Sequence, residues 1–466
     1  MGCPKGERIV GVMKIEFYGG AGTVTGSHYV VQTPGARIGI DAGLFQGPPE
    51  LEALNSAGFG NSVGELDALV LTHAHIDHSG RLPLLIRWGF EGRIISTSAT
   101  ADLCDIMLRD SAHLLMEDAE RKARRRRAAP RPLYTLEDVD AVMRRFETVE
   151  YEREFRVGDV KVRLLDAGHI LGSAMIELEA EGKKVVFSGD LGRPGAPLLR
   201  DPTRVEDADA LVLESTYGGR VHSEKADRSG KLFRVVKSTV EAGGNVIIPA
   251  FAVGRTQDVL YTLNPYMEAG ELQGLRTFVD SPMAIKAGEI YRNHPECFDA
   301  ETLALLESGD DPLDFPGVHL TRTLEESRKI DRVRQPHIII SASGMCTGGR
   351  VLHHLSRNIG RPECTVLFVG YQAIGTLGRK LRDGARSVRI LGRVREVLAR
   401  VEALDSFSAH ADHSEIMEWL RGFKRFPENV FLVHGEKEGA NALASAIALE
   451  WGARTRIPWP GSSWEL

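Results

Sequence analysis

Short apolar runs bounded by Gly and Asp recur from Lys14 to about Glu214. Their rhythm predicts strands at Lys14–Tyr18, His28–Thr33, Arg37–Asp41, Ala68–Thr72, Val160–Leu165, Ala174–Glu179, Lys183–Ser188 and Ala210–Glu214. Helical patterns interrupt them, the longest over Ala101–Ala129. Thr135–Arg145 follows, where Thr135 with Asp138 three residues on is an N-cap signal. Beyond Glu214, strand-like Asn245–Pro249, His337–Ser341 and Thr365–Val369 alternate with helical Ser223–Ala242, Val253–Tyr266 and Gly349–Arg357. That is the βα alternation of a parallel, doubly wound sheet. Near Glu402–Asp405 the first style resumes, with helix His413–Phe423, strand Asn429–Val433 and helix Glu438–Trp451. A second domain inserted into the first accounts for the change of style, with a first part at 13–215, the insert at 216–400 and a last part at 401–466.

Composition narrows the class. Of 466 residues, 42% are hydrophobic and 26% charged, enough apolar surface for a real core and too much for disorder along the whole chain. A formal net charge of -6 argues against coating nucleic acid through bulk positive charge, leaving only local basic patches. The 5 cysteines are scattered without a C-x-x-C pair, so neither a disulfide framework nor a thiolate zinc knuckle is indicated, and the compartment expected is reducing. No apolar run approaches the ~20 residues of a membrane helix. Met1–Gly6 leads into no signal-like segment, and Met13 directly precedes the first strand, so residues 1–12 read as a start-site extension and the chain as cytoplasmic.

The chemistry concentrates after one strand. Ala68-Leu69-Val70-Leu71-Thr72 runs into His73-Ala74-His75-Ile76-Asp77-His78-Ser79-Gly80. Alternate side chains of an extended segment share a face, so His73 and His75 project together, and a turn at Asp77 and His78 brings two more donors to a neighbouring point. Imidazole and carboxylate without thiolate suit Zn²⁺ in an open, catalytic site. Five further apolar strands each end in a polar group: Asp41, His169, Asp190, Glu214 and His434. Strand ends are where α/β architectures gather functional side chains. Singly, each has a bland reading: Asp41 a turn or ligand-orienting residue, His169 a satisfied core histidine, Glu214 a cap or salt-bridge residue. Their joint occurrence with the His73–His78 cluster is what raises them.

These stretches resemble the metallo-β-lactamase superfamily and, within it, the β-CASP ribonucleases of RNA processing and decay, related to the endonuclease of the cleavage and polyadenylation specificity factor. The matching segments are Asp41 after its strand, His73–His78, Gly168-His169, Ser188-Gly189-Asp190, Glu214-Ser215-Thr216-Tyr217-Gly218, Ser408-Ala409-His410-Ala411-Asp412-His413 and Val433-His434-Gly435-Glu436. In the insert they are Pro249–Arg255, Ser341-Ala342-Ser343-Gly344-Met345 and Gly370-Tyr371-Gln372. The resemblance implies an αββα sandwich carrying an inserted β-CASP domain, a parallel sheet flanked by helices, with the site in a cleft between the two. It implies two Zn²⁺, one on His73, His75 and His169, the other on Asp77, His78 and His434, with Asp190 bridging and Asp41 behind the ligands. Members acting on RNA carry a histidine at the His434 position and the DNA-repair branch an aliphatic residue, so the expected substrate is single-stranded RNA.

Two ions about 3.5–4 Å apart can share and activate a water for in-line attack on a phosphodiester. The departing alkoxide still needs a proton, and His410, oriented by Glu214, matches the family's general acid. The expected products carry 5′-phosphate and 3′-hydroxyl ends, from endonuclease or 5′-exonuclease action. Ser408 and Ala409 fall beside His410 as substrate-binding candidates, with Arg255 at a helix start as another. The basic run Arg121–Arg127 reads first as a solvated helix face, second as a track for RNA. Gly344, Gly348 and Gly349 read as turns. A thioesterase or lactonase of the same fold has no use for a large insert, a DNA nuclease is disfavoured by His434, and a non-catalytic scaffold by the intact ligand set. A homodimer is left open.

Overall fold

The computed structural model describes residues 12–125, 131–222, 227–373 and 375–466. The described residues fall into two compact units: those of 12–194, Asp201–Val221 and His410–Leu466 in the first, and those of Gly195–Arg200 and His222–Ala409 in the second.

The first unit is built on two seven-stranded sheets. One runs Ser462–Glu465, Lys14–Gly19, His28–Gln32, Arg37–Ile40, Ala68–Val70, Arg93–Ser96, Phe146–Thr148; the other runs Thr455–Arg456, Asn429–Val433, Ala210–Glu214, Lys183–Phe187, Ala174–Ala180, Val160–Asp166, Phe155–Val157. Phe17, Ile38, Val70 and Ile95 of the first sheet share one buried cluster with Val162, Ile176, Phe187, Val212 and Phe431 of the second. The other face of the second sheet is covered by helices His413–Leu420 and Lys437–Trp451, whose Ile416, Leu420, Leu443 and Ile447 pack on Leu211, Leu213 and Leu432. Covered on both sides, Ala210–Glu214 reads as an unbroken buried run rather than an alternating one. Helix Leu136–Met143 starts where Thr135 predicts, the Thr135 amide donating to Asp138 Oδ2 at 2.8 Å.

Strand direction places the site. Arg37–Ile40, Ala68–Val70 and Arg93–Ser96 are parallel, as are Lys183–Phe187, Ala210–Glu214 and Asn429–Val433. Val160–Asp166 joins the latter set through two antiparallel pairings and so runs the same way. The Ala174 amide donates to Thr72 O at 2.8 Å, and the His434 amide to Gly20 O at 2.6 Å, which ties the sheets together at this edge.

The second unit holds a six-stranded parallel sheet in the order Val318–Leu320, Arg276–Val279, His337–Ser341, Val246–Pro249, Thr365–Phe368, Arg400–Ala403. A hairpin, Ser387–Ile390 with Arg393–Glu396, packs Val388 and Ile390 into its core. Among the described residues no helix is long and apolar enough to cross a membrane.

Candidate metal centre

Extended backbone after Ala68–Val70 delivers His73, and a one-turn helix Ile76–Ser79 follows, so Asp77 and His78 leave from a helix rather than from the simple turn expected. The segment after Arg37–Ile40 is laced to it: Ala42 N donates to His78 O at 2.7 Å and Leu44 N to Ile76 O at 2.8 Å. Gly43 is needed there, since a Cβ would stand 1.6 Å from the Asp77 carbonyl oxygen. Asp41 and His434 both hold left-handed backbone, φ 57 and 45. A non-glycine residue in that region costs on the order of 1–3 kcal/mol and persists where the surroundings dictate it, often at functional sites.

The donors meet at coordination spacing. His75 Nδ1 lies 3.1 Å from both His73 Nε2 and His169 Nε2, and Asp190 Oδ2 lies 3.4 Å from each of those Nε2 atoms. Donors about 2.0–2.1 Å from a tetrahedral zinc stand roughly 3.3–3.4 Å from one another. Beside this group, His78 Nε2 lies 3.2 Å from Asp190 Oδ1 and His434 Nε2 3.4 Å from Asp77 Oδ2, and single donor atoms of Asp77, His78 and His434 all fall within 4.8 Å of one another.

For His73, His78 and His434, hydrogen bonds on the far side of the ring decide where the ring protons sit. The Thr72 hydroxyl donates to Asp41 at 2.8 Å, so it accepts from His73 Nδ1 at 3.1 Å and leaves the His73 Nε2 lone pair facing inward. His78 Nδ1 donates to Asp41 Oδ2 at 2.7 Å, which turns its Nε2 lone pair toward Asp190. The Thr216 hydroxyl donates to His434 O at 3.0 Å and accepts from His434 Nδ1 at 3.1 Å, presenting His434 Nε2. Such partners fix the tautomer of metal-binding histidines. Lone pairs converging on carboxylate oxygens repel unless a cation lies among them. His78 Nε2 and Asp190 Oδ1 are buried without a hydrogen-bond partner.

The titration behaviour agrees. Burial, reinforced by neighbouring imidazoles, pushes His73 down to about 3 and His75 to about 4, and holds His169 well below its ordinary value, so all three stay neutral. Burial would lower His78 too, but Asp190 and Asp41 outweigh it and hold it well above, the demand for positive charge that a metal ion would meet. Burial would raise Asp190, yet His434, His78, His410 and His73 keep it well below the carboxylate range. The residues present therefore fit divalent metal.

Beside the donors, Glu214 is fully buried, with Oε1 accepting from Leu191 N at 2.6 Å and both oxygens 3.1 and 3.2 Å from His410 Nδ1. Burial alone would lower the His410 pKa, but Glu214 and Asp190, 3.9 Å away, push it up to about 9.

Other candidates fall elsewhere. Ser408 closes the short helix Asp405–Phe407 and, with Ala409, ends the second unit immediately before His410. Arg255 also lies in the second unit, buried, with its NH1 donating to Asp258 Oδ2 at 3.0 Å, so it is engaged within its own helix. In the basic run, Arg121 and Lys122 pair with Asp118 and Arg124 with Glu120; Arg126 and Arg127 lie outside the described residues. Thr72 and Thr216 were missed in the sequence. Their signal is position alone, a hydroxyl adjacent to His73 and another two residues after Glu214. Replacing Thr72 by valine removes the hydroxyl that orients both Asp41 and His73, and calorimetric metal titration is expected to show affinity about 10- to 100-fold weaker.

Comparison with known proteins gives the class. Residues 21–221 match the metallo-β-lactamase superfamily, 256–381 the β-CASP domain, and 394–458 the Zn-dependent metallo-hydrolase RNA specificity domain. The chain is 36% identical to Ribonuclease TTHA0252 of Thermus thermophilus over 94% of its length and 96% of that protein. It is 31% identical to the transcription termination factor FttA of Methanothermobacter thermautotrophicus, over 94% of its length and 70% of that protein. It is 30% identical to an RNase J-like protein of Methanocaldococcus jannaschii, over 96% and 98%. A crystal structure of a protein of unknown function from Enterococcus faecalis shares the fold, with TM-score 0.57 and 12% identity over 98% of this chain and all of that one. Sequence likeness along nearly the whole chain, joined to a buried nest of imidazole and carboxylate donors, places the chain in the β-CASP ribonuclease family of the metallo-β-lactamase superfamily, as a metal-dependent ribonuclease.

Proposed function

We propose that the chain hydrolyses single-stranded RNA with two zinc ions, one held by His73, His75 and His169, the other by Asp77, His78 and His434, with Asp190 shared. The observation that carries this is Asp190 itself: its Oδ2 lies 3.4 Å from Nε2 of both His73 and His169, and its Oδ1 3.2 Å from Nε2 of His78, so one carboxylate reaches donors of both groups. Zinc is favoured by donors limited to imidazole and carboxylate. When bound, the metal pair supplies Lewis acidity toward the phosphodiester and activates the attacking water.

The chain's own residues do the rest. Asp41, Thr72 and Thr216 hold the rings in the tautomers that present lone pairs. Glu214 engages His410 at Nδ1 and favours the charged ring, which leaves His410 Nε2 to deliver a proton to the departing 3′-oxygen. Ser408 and Ala409, next to it in the chain, belong to the substrate-binding surface. The products are a 5′-phosphate and a 3′-hydroxyl, by internal cleavage first and from the 5′ end second. His434, which the DNA-repair relatives replace with an aliphatic residue, supports RNA over DNA.

End-labelled RNA, end-labelled DNA and a thioester, each incubated with and without chelator, test the reading. Internal RNA cuts with 5′-phosphate ends, abolished by chelator and restored by zinc, are expected. Turnover of the thioester with RNA untouched would sink it.

A further inference from the structure

The three insert segments that carry the β-CASP resemblance come out side by side. Strands His337–Ser341 and Thr365–Phe368 flank Val246–Pro249 in parallel, so the chain leaves the same edge of the sheet at Ala250-Phe251, at Ala342-Ser343-Gly344 and at Val369-Gly370. Ligands of α/β sheets bind outside such carboxyl ends. The Phe251 ring rests there on glycine. A Cβ on Gly344 would stand 2.9 Å from Phe251 N and 3.0 Å from ring Cδ2, and one on Gly370 would stand 3.5 Å from ring Cε2.

The mount is rigid. Buried Gln372 donates from Nε2 to the Gly344 carbonyl at 3.0 Å and the Gly370 carbonyl at 3.1 Å, stitching the two glycine segments together. Phe251 O accepts from Thr256 N at 3.2 Å and Thr256 Oγ1 at 2.9 Å, which anchors the residue that bears the ring. Yet Phe251 remains 37% exposed, and among the described residues its ring has no aromatic or cationic partner. A lone exposed apolar side chain is unremarkable on a surface. This one is held in place at the edge where ligands bind and is still 37% exposed.

We propose that Phe251 is a stacking platform for one nucleobase of the single-stranded RNA substrate. The assignment rests on the RNA reading above and adds a subsite to it. Every base has a π-face, so the platform contributes affinity at one position of the RNA without choosing a sequence. Gly344 acts as the floor, since a Cβ there would press on Phe251 N and the ring, Gly370 lies within van der Waals reach of the same ring edge, and Gln372 is a positioning residue for both segments.

An abasic scan of a labelled RNA tests it without depending on whether a variant folds. With the unaltered enzyme, removing the base at one position is expected to raise KM by between about 5- and 150-fold, the range of one base stacked on one ring. Phe251→Ala should raise KM for intact RNA by the same factor, leave kcat nearly unchanged, and become insensitive to the abasic site at that position. Phe251→Trp should restore both. Equal KM for every abasic RNA, or a Phe251→Ala effect of the same size on intact and abasic RNA, would overturn the platform. Absence of any cleavage of intact RNA by the unaltered enzyme overturns the RNA reading itself, and the platform with it.

Discussion

His410→Ala is expected to keep its full metal content while RNA cleavage falls by about 10²- to 10⁴-fold, the usual contribution of one general acid. His410 faces Glu214 and contributes no ring nitrogen to either group of converging donors, so the donor cage survives its loss. What disappears is the proton for the leaving oxygen, the one element of the reaction that bound metal does not supply. The pH profile gives an independent readout. Glu214 and Asp190 hold the ring charged up to about 9 in the bare protein, and bound cations oppose that charge and bring the value down. Activity needs the protonated ring, so it should fall as pH rises through that lowered value, and His410→Ala should flatten that limb. Full cleavage with unaltered pH dependence in the variant would remove His410 from the mechanism.

Asp190→Ala should be at least as severe and should differ in kind. Among the described residues its carboxylate is placed against both sets of imidazoles, with oxygens 3.2–3.4 Å from Nε2 of His73, His169 and His78. Removing it leaves the His73, His75 and His169 lone pairs converging with no carboxylate among them, and Asp77 as the carboxylate of the other group. Metal content measured by mass spectrometry should fall below that of the unaltered chain. Cleavage should fall by about 10³-fold or more, since several kcal/mol of charge stabilisation depend on the metals. A variant that keeps its metal and cuts RNA within tenfold of the unaltered rate would show that the ions do not depend on this carboxylate.

The strands that were readable are those with a compact apolar run or an alternating pattern bounded by Gly or Asp: His337–Ser341 and Ala210–Glu214 match residue for residue, and their neighbours to within a residue or two. Arg93–Ser96, Phe146–Thr148, Phe155–Val157 and Val318–Leu320 gave no such pattern. They are three or four residues long, several are edge strands, and most expose part of their side chains, so pairing rather than periodicity makes them strands. The one-turn helix at Ile76–Ser79 was hidden for a similar reason, since four residues are too few to show a helical period.

Local chemistry in the chain determined the class of site: His73, His75, Asp77 and His78 are crowded into one loop, and no fold is needed to see that they bind something that likes nitrogen and oxygen. Tertiary structure decided everything that depends on residues far apart meeting. His434 and Thr216, 218 positions apart, come together because parallel strands of one sheet end at one edge, and His410 meets Glu214, 196 apart, because the loop before helix His413–Leu420 is tied down there by Ala411 N donating to Leu191 O at 2.8 Å. The tautomers follow from that meeting, because a ring's proton goes where its hydrogen-bond partner stands, and no pattern of residue types along the chain records where that will be.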